Sequence, residues 1–471
     1  MIRTENDQES QKLVRDRDTI AAIATAPGKG GVGILRVSGA AAEHIAMNVL
    51  SGACPQPRRA VYRSFLGPDN QVIDQGLALW FPGPNSFTGE DVLELQGHGS
   101  PIALNLLLKR LLQLGARLAR PGEFTERAFL NGKVDLVQAE AVADLIESAT
   151  ETAAVAAQRT LSGDFSRRVK ALELSLMNLR IFIEASMDFP DEEVDFLSEG
   201  QVGRRVDELV AQFEQLIQST HSGVLLRDGI KLVLAGKPNV GKSSLLNRLS
   251  GRESAIVTPQ PGTTRDCIRE TLELSGLAVE VVDTAGLRQT RDEIEREGVA
   301  RARNAVAEAD LVLLITDRLP RASEDLWNLK IELLNECPVP NDRFVFIVNK
   351  VDILGRKSGN FRFEAHEQPE VCLGISALRN EGIDCLVQEI HRRVGYSSVP
   401  SLFTARERHL NALERAGDDL KRGKLALERG VGGELIAEDL KRAHQSLGEI
   451  LGEVSSDELL GEIFSKFCIG K

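Results

Sequence analysis

The stretch Gly236-Lys-Pro-Asn-Val-Gly-Lys-Ser243 sets two glycines, a lysine and a hydroxyl at the spacing of a phosphate-binding loop. Glycines at Gly236 and Gly241 let backbone N–H groups turn toward a β-phosphate. Lys242 adds a point charge toward the β- and γ-phosphates, and the Ser243 hydroxyl suits Mg²⁺. The loop, including Asn239 and Val240, follows the apolar run Lys231 to Ala235 and opens into Ser244-Leu-Leu-Asn-Arg-Leu. That is the strand–loop–helix order this chemistry needs, which a glycine-rich turn that binds nothing would not require.

Further groups follow in the order of a GTP site. Asp283 ends the apolar segment Val279 to Val282, where a strand-tip carboxylate can hold the Mg²⁺ shell. Thr284 and Ala285 lead from it to Gly286, which leaves room for a γ-phosphate. Asn349, Lys350 and Asp352 end a second apolar run, Phe344 to Val348. A carboxylate there accepts from the N1–H and N2–H₂ edge of guanine, whereas adenine offers no such pair. The sequence therefore reads as GTP rather than ATP, with Ser376, Ala377 and Leu378 similar to the loop that supports guanine O6.

Between cradle and Asp283 lies a polar segment, Thr258, Pro259, Gln260, Pro261, Gly262, Thr263 and Thr264. Its position is that of a switch loop closing over the γ-phosphate, with Thr264 as the expected Mg²⁺ ligand; the bland alternative is a surface loop. The residue after Gly286 is Leu287, not a glutamine able to orient the attacking water. Another group must then offset transition-state charge. Asn239 is either a cation ligand beside the β–γ bridge or an amide capping its own loop. Glu295, in Asp292-Glu-Ile-Glu-Arg-Glu297, is either a water-orienting acid or part of a solvated helix face.

The elements that must position these groups are legible in the pattern. Residues 1–15 read as a disordered extension. Residues 16–130 mix short strand-like runs with one apolar helix after Pro101, a small α+β domain. Residues 131–227 are helical around an acidic loop, Asp188 to Asp195. Strands alternate with helices over 228–396, as in a doubly wound P-loop GTPase (Ras-like) domain, and helices return over 397–471. The fold class is thus α/β and α, with the GTPase domain inserted into a discontinuous helical domain. Pro27 to Gly33 lacks the Gly-Lys-Ser/Thr ending and precedes a strand, so it reads as a tight turn rather than a second nucleotide loop.

Composition narrows the partners. A 471-residue chain with 42% hydrophobic residues supports several cores. A net charge of −12 argues against coating nucleic acid through bulk charge. Six scattered cysteines without a CxxC fit a reduced, cytoplasmic protein, and no apolar run is long enough for a bilayer, so no membrane role is expected. The C-terminal Cys468-Ile-Gly-Lys471 fails as a prenylation box. Cys468 reads as a buried small hydrophobe or, alternatively, as a reactive thiol.

Gly28-Lys-Gly-Gly-Val-Gly-Ile-Leu-Arg36, Phe87-Thr-Gly-Glu-Asp-Val-Leu-Glu-Leu-Gln-Gly-His98, Arg120-Pro-Gly-Glu-Phe-Thr-Glu-Arg-Ala-Phe129, the nucleotide motifs and the Cys-Ile-Gly-Lys end occur together. The combination resembles the MnmE (TrmE) family of tRNA-modification GTPases over nearly the whole chain. The resemblance implies a homodimer joined through the N-terminal domain and a GTPase activated by K⁺-dependent dimerisation. It also implies a FAD-dependent partner, MnmG, and tRNA as substrate, with C5 of the wobble uridine gaining a carboxymethylaminomethyl or aminomethyl group. By motif position it implies 5-formyl-tetrahydrofolate or a related folate on Arg36, Glu94, Lys133 and Lys471, and catalytic parts for Lys242, Glu295 and Cys468. It places K⁺ on Asn239, Thr258, Gln260 and Thr263, and Mg²⁺ on Ser243 and Thr264. Pro259 and Pro261 stiffen that loop relative to a flexible one. A GTP-dependent binding switch, in ribosome assembly or signalling and without covalent RNA chemistry, is the rival class; it would not need Arg36, Glu94, Lys133 or the C-terminal tail.

Overall fold

The computed structural model describes residues 18–188, 199–251, 269–283, 304–334, 340–363, 370–397, 402–429, 433–453 and 457–470. The chain divides into two compact units, Met1–Ala143 with Gly448–Lys471, and Asp144–Leu447. The expected N-terminal extension, most of the acidic loop, the segment from Thr258 to Thr264 and residues from Thr284 through Glu295 lie outside the described residues.

The first unit holds β1 (Ile20–Ile23), β2 (Gly30–Ser38), α1 (Ala42–Val49), β3 (Val61–Leu66), β4 (Val72–Phe81), β5 (Val92–Gly99), α2 (Pro101–Gln113), β6 (Arg117–Leu118), α3 (Glu123–Leu130) and the start of α4 (Leu136–Glu147). Its six strands are ordered β3-β4-β5-β2-β1-β6, antiparallel except for the β1–β6 pair. Alternation decides the faces: Leu35, Val37, Leu93 and Leu95 enter the core under α1 and α2, and Arg36 and Glu94 between them project from the other side. Ser100 caps α2, accepting from the Ala103 N–H, with Pro101 at the first helical position. One helix was expected in this region, but α1 and α3 are present too. The glycine tract is also less of a turn than expected, since β2 already starts at Gly30 and bulges before Gly33.

Near the start of α3 a buried ion network joins the N-terminal strand region to the helix. Arg127 donates to Asp18 and Glu90, and Arg117 donates to Asp18 and, at 2.8 Å, to Glu123. Burial pushes the Glu123 carboxyl up, but hydrogen bonds from Arg117 and the Arg120 N–H outweigh it and hold it at about 2 against an ordinary 4.5. A carboxylate lowered in the fold stabilises it above its unfolded value and loses that contribution as pH falls through the folded one. We therefore expect Glu123→Gln to lower unfolding free energy at neutral pH by on the order of 2 kcal/mol, by removing the buried charge that Arg117 and the Arg120 N–H hold while both arginines keep their bonds to Asp18. The deficit should shrink as pH drops from 4.5 toward 2, which urea denaturation across that window measures.

The second unit carries α5 (Glu151–Leu161), α6 (Asp164–Asp188), α7 (Glu199–Asp228), β7 (Ile230–Gly236), α8 (Lys242–Ser250), β8 (Arg269–Leu274), β9 (Leu277–Asp283), β10 (Leu311–Thr316), α9 (Ser323–Leu334), β11 (Phe344–Val348), β12 (Gly359–Phe363), β13 (Glu370–Gly374), α10 (Ile383–Val394), α11 (Glu407–Glu428) and α12 (Gly433–Leu451). Its seven strands run β12-β13-β11-β10-β7-β9-β8, with a parallel centre and antiparallel edges at β12 and β8. The central strands are apolar on both faces. Leu232, Leu234, Leu313, Ile315 and Ile347 enter one core, and Val233, Ala235, Val312, Leu314 and Phe346 enter the other. Helices on both sides satisfy both sets, so this is the doubly wound P-loop GTPase fold, inserted between helices α7 and α11, which pack along each other.

Candidate functional site

The nucleotide-site candidates meet at the carboxyl ends of β7, β10, β11 and β13, the edge where an open parallel sheet places its ligand. Gly236 ends β7 and Gly241 begins α8 in the left-handed region at φ 97°. A Cβ at Gly241 would stand 2.3 Å from the Asn349 Nδ2, so the position requires glycine on space as well as on φ. Lys242 is buried and its Nζ donates to the carbonyls of Gly236 at 2.8 Å and Lys237 at 3.0 Å. Ser243 and Ser244 are exposed on the first turn of α8, where the N-terminal N–H groups and the helix dipole favour an anion.

Asn349, 2% exposed, ties three loops together. Its Nδ2 donates to the Val240 carbonyl at 2.9 Å, while its Oδ1 accepts from the N–H groups of Lys350 at 2.8 Å and Ala377 at 3.1 Å. Lys350, at φ 63°, reaches back so that its Nζ donates to the Asn239 carbonyl at 2.6 Å and to Asp317 at 3.0 Å. The Asp352 carboxylate is 6% exposed and lies 3.5 Å from the Arg379 Nε. Ser376 is buried and exchanges backbone hydrogen bonds with Glu381, while Leu378 is 77% exposed beside it. The cradle is thus preassembled against the base loop by protein hydrogen bonds. Asn239 sits in the left-handed region at φ 64° with its side chain exposed.

Three members of this assembly escaped the sequence reading. Arg248 on α8 donates to the carbonyls of Ala377 and Leu378, both at 3.0 Å, and so holds the base loop. Asp317 and Arg379 pair with Lys350 and Asp352. Only Asp317 left a signal, a carboxylate just past the apolar run of β10. Asp283 is placed at the end of β9, its backbone in register with Leu234 of β7. Thr258, Pro259, Gln260, Pro261, Gly262, Thr263, Thr264, Thr284, Ala285, Gly286 and Glu295 lie outside the described residues.

In the first unit, Arg36 and Glu94 are register partners on β2 and β5. The Arg36 guanidinium donates to Glu94 Oε1 through Nε at 2.9 Å and lies 2.8 Å from it through Nη2. It also lies over the rings of Phe87 and Phe124, at 5.6 and 5.7 Å. The C-terminal tail arrives at the same place. The Gly470 carbonyl is 3.5 Å from Arg36 Nη1, and a Cβ on Gly470, at φ 93°, would stand 2.5 Å from the Ile23 carbonyl oxygen. The Lys133 Nζ donates to the Pro84 carbonyl at 3.0 Å, on the loop that carries Phe87. A planar cation over two rings, paired with a carboxylate, suits a flat, hydrogen-bonding heterocycle. Lys471 lies outside the described residues. Cys468 is exposed, which corrects the reading of it as a buried small hydrophobe: Phe467 takes the buried place, and the backbone turns Cys468 outward.

Comparison with known proteins supplies the family. A family model described as GTP-binding protein TrmE N-terminus matches residues 19–133, and one described as MnmE helical domain matches 136–468. The tRNA modification GTPase MnmE of Pseudomonas paraeruginosa is 52% identical over 455 residues, covering 96% of this chain and 99% of its own. The chain belongs to the MnmE family of tRNA modification GTPases. The MnmE proteins of Pseudomonas syringae pv. tomato and Stutzerimonas stutzeri are each 51% identical, over 97% and 98% of this chain and 99% and 100% of theirs. Among solved structures, the G domain of the T. maritima FeoB iron transporter is 24% identical over 35% of this chain and 98% of its own. Its TM-score of 0.25 is too slight to inform function. Among the described residues, no helix is long and apolar enough to cross a membrane.

Proposed function

We propose that this chain is a potassium-activated GTPase that works, as a cytoplasmic homodimer, with a FAD-dependent partner of the MnmG kind. Together they add a carboxymethylaminomethyl or aminomethyl group to C5 of the wobble uridine of certain tRNAs, with a formyl-tetrahydrofolate as one-carbon donor. The observation that carries the GTP part is the Asn349 clamp, which fixes the Gly236–Ser244 loop and the Ser376–Leu378 loop around the nearly buried Asp352. The Arg36 and Glu94 pair, with the tail at Gly470, supports the folate part.

Each residue has a part in this reading. Asp352 accepts from the guanine edge, and the N–H groups of Gly241 to Ser244 donate to phosphate oxygens. Lys242 exchanges its two loop carbonyls for β- and γ-oxygens. Ser243 and Thr264 would hold Mg²⁺, and Asn239 with Thr258, Gln260 and Thr263 would hold K⁺; bound there, both ions supply positive charge against the charge that develops on the phosphates. Glu295 would orient the attacking water, the part that Leu287 cannot play.

The cation part can be tested directly. GTP hydrolysis in KCl is expected to exceed that in NaCl of equal strength by on the order of tenfold or more, because charge stabilisation at this point is worth at least that. Equal rates would remove the cation from the mechanism.

A further inference from the structure

Resting on the reading of Asp352 as the guanine acceptor, we propose that Arg379 is a built-in competitor for that carboxylate, weakening guanine-nucleotide binding and quickening release. The pair is asymmetric. The Asp352 side chain is 6% exposed and that of Arg379 62%, with the Arg379 Nε 3.5 Å from Asp352 Oδ2. An acceptor so enclosed depends on its partners, whereas an exposed guanidinium leaves for water at little cost.

The backbone holds Arg379 at this post. Its N–H donates to the Ser376 Oγ at 3.2 Å, and Ser376 and Glu381 exchange backbone hydrogen bonds across the turn. Asn380, at φ 61°, supplies the left-handed residue that closes it. Asn349 and Arg248 fix Ala377 and Leu378 on the other side. The base loop thus delivers two things to one place: the backbone beneath a bound guanine, and a cation on the oxygen that must accept from it. A base with N1–H and N2–H₂ donors displaces that cation before both carboxylate oxygens are free. Arg379 does not touch the reacting phosphates, so it acts through Asp352 as a positioning residue.

The experiment is stopped-flow release and equilibrium binding of fluorescent GDP and XDP on the full chain, for the wild type, Arg379→Ala, Arg379→Lys and Asp352→Asn. Arg379→Ala is expected to slow GDP release and tighten binding by about two- to fivefold, the range of a partly exposed ion pair. Arg379→Lys, which keeps the charge, should stay near wild type. In the Asp352→Asn background, with XDP as ligand, the Ala substitution should have little effect, because no charge remains to compete for. Unchanged or weaker GDP binding by Arg379→Ala would overturn the proposal, and so would equal tightening by Ala and Lys, since loop geometry would then be responsible. The underlying reading fails separately, if Asp352→Asn leaves the preference for GDP over XDP unchanged.

Discussion

Asparagine in place of Asp352 should turn the chain from guanine toward xanthine nucleotides. The carboxylate can only accept, which matches guanine N1–H and N2–H₂. An amide at the same place still accepts at its oxygen but offers N–H₂ where guanine also offers N–H₂. Xanthine, with a carbonyl at C2, restores the match. Because the side chain is 6% exposed, water cannot repair the mismatch, and selectivity should change by on the order of 10²- to 10⁴-fold. GTP and XTP affinities of the variant, measured side by side, check this. Unchanged selectivity would mean that the base is read elsewhere and that the Asn349 clamp serves only to brace the loops.

The second large effect should appear in the other unit. Cys468 is exposed, but the chain around it is anchored: its carbonyl accepts from the Gly122 N–H at 3.3 Å, Ile469 bridges to Pro121, and Phe467 packs with Phe464. Serine is nearly isosteric and disturbs none of these contacts. It removes the nucleophilic, polarisable sulfur. We propose that this thiol takes a chemical part in the modification, so that Cys468→Ser cuts wobble-uridine modification by on the order of tenfold or more while GTP turnover stays within about twofold. Full modification by the serine variant would leave the thiol without a chemical part, and loss of both activities would indicate misfolding.

Much of this was legible in the sequence because a phosphate loop and a guanine reader are local. Gly236 to Ser243 and Asn349 to Asp352 each lie on one strand-to-helix or strand-to-loop connection, and the apolar runs before them are the strands themselves. Contacts across the sequence were not legible. Arg248 reaches a loop 129 residues away, and Asn349 reaches the cradle over 109, so both needed the strand order before they could be seen. The same holds for the ring pair around Arg36: Phe87 and Phe124 were visible only as letters of a motif. The buried alternative for Cys468 failed because the burial preference of cysteine is an average over environments, whereas here Phe467 next to it fills the apolar site. The short helices α1 and α3 were missed among strand-like runs, α3 because it starts from a left-handed Gly122 rather than a capping side chain.

The most direct test of the whole account is mass spectrometry of wobble-position nucleosides in tRNA from cells that lack this chain and from the same cells with it restored. Restoration should return 5-carboxymethylaminomethyl or aminomethyl uridine, and the Cys468→Ser and Asp352→Asn chains should return far less. Wild-type levels of the modified uridine in the absence of the chain would contradict the account and leave a GTP-dependent switch in its place.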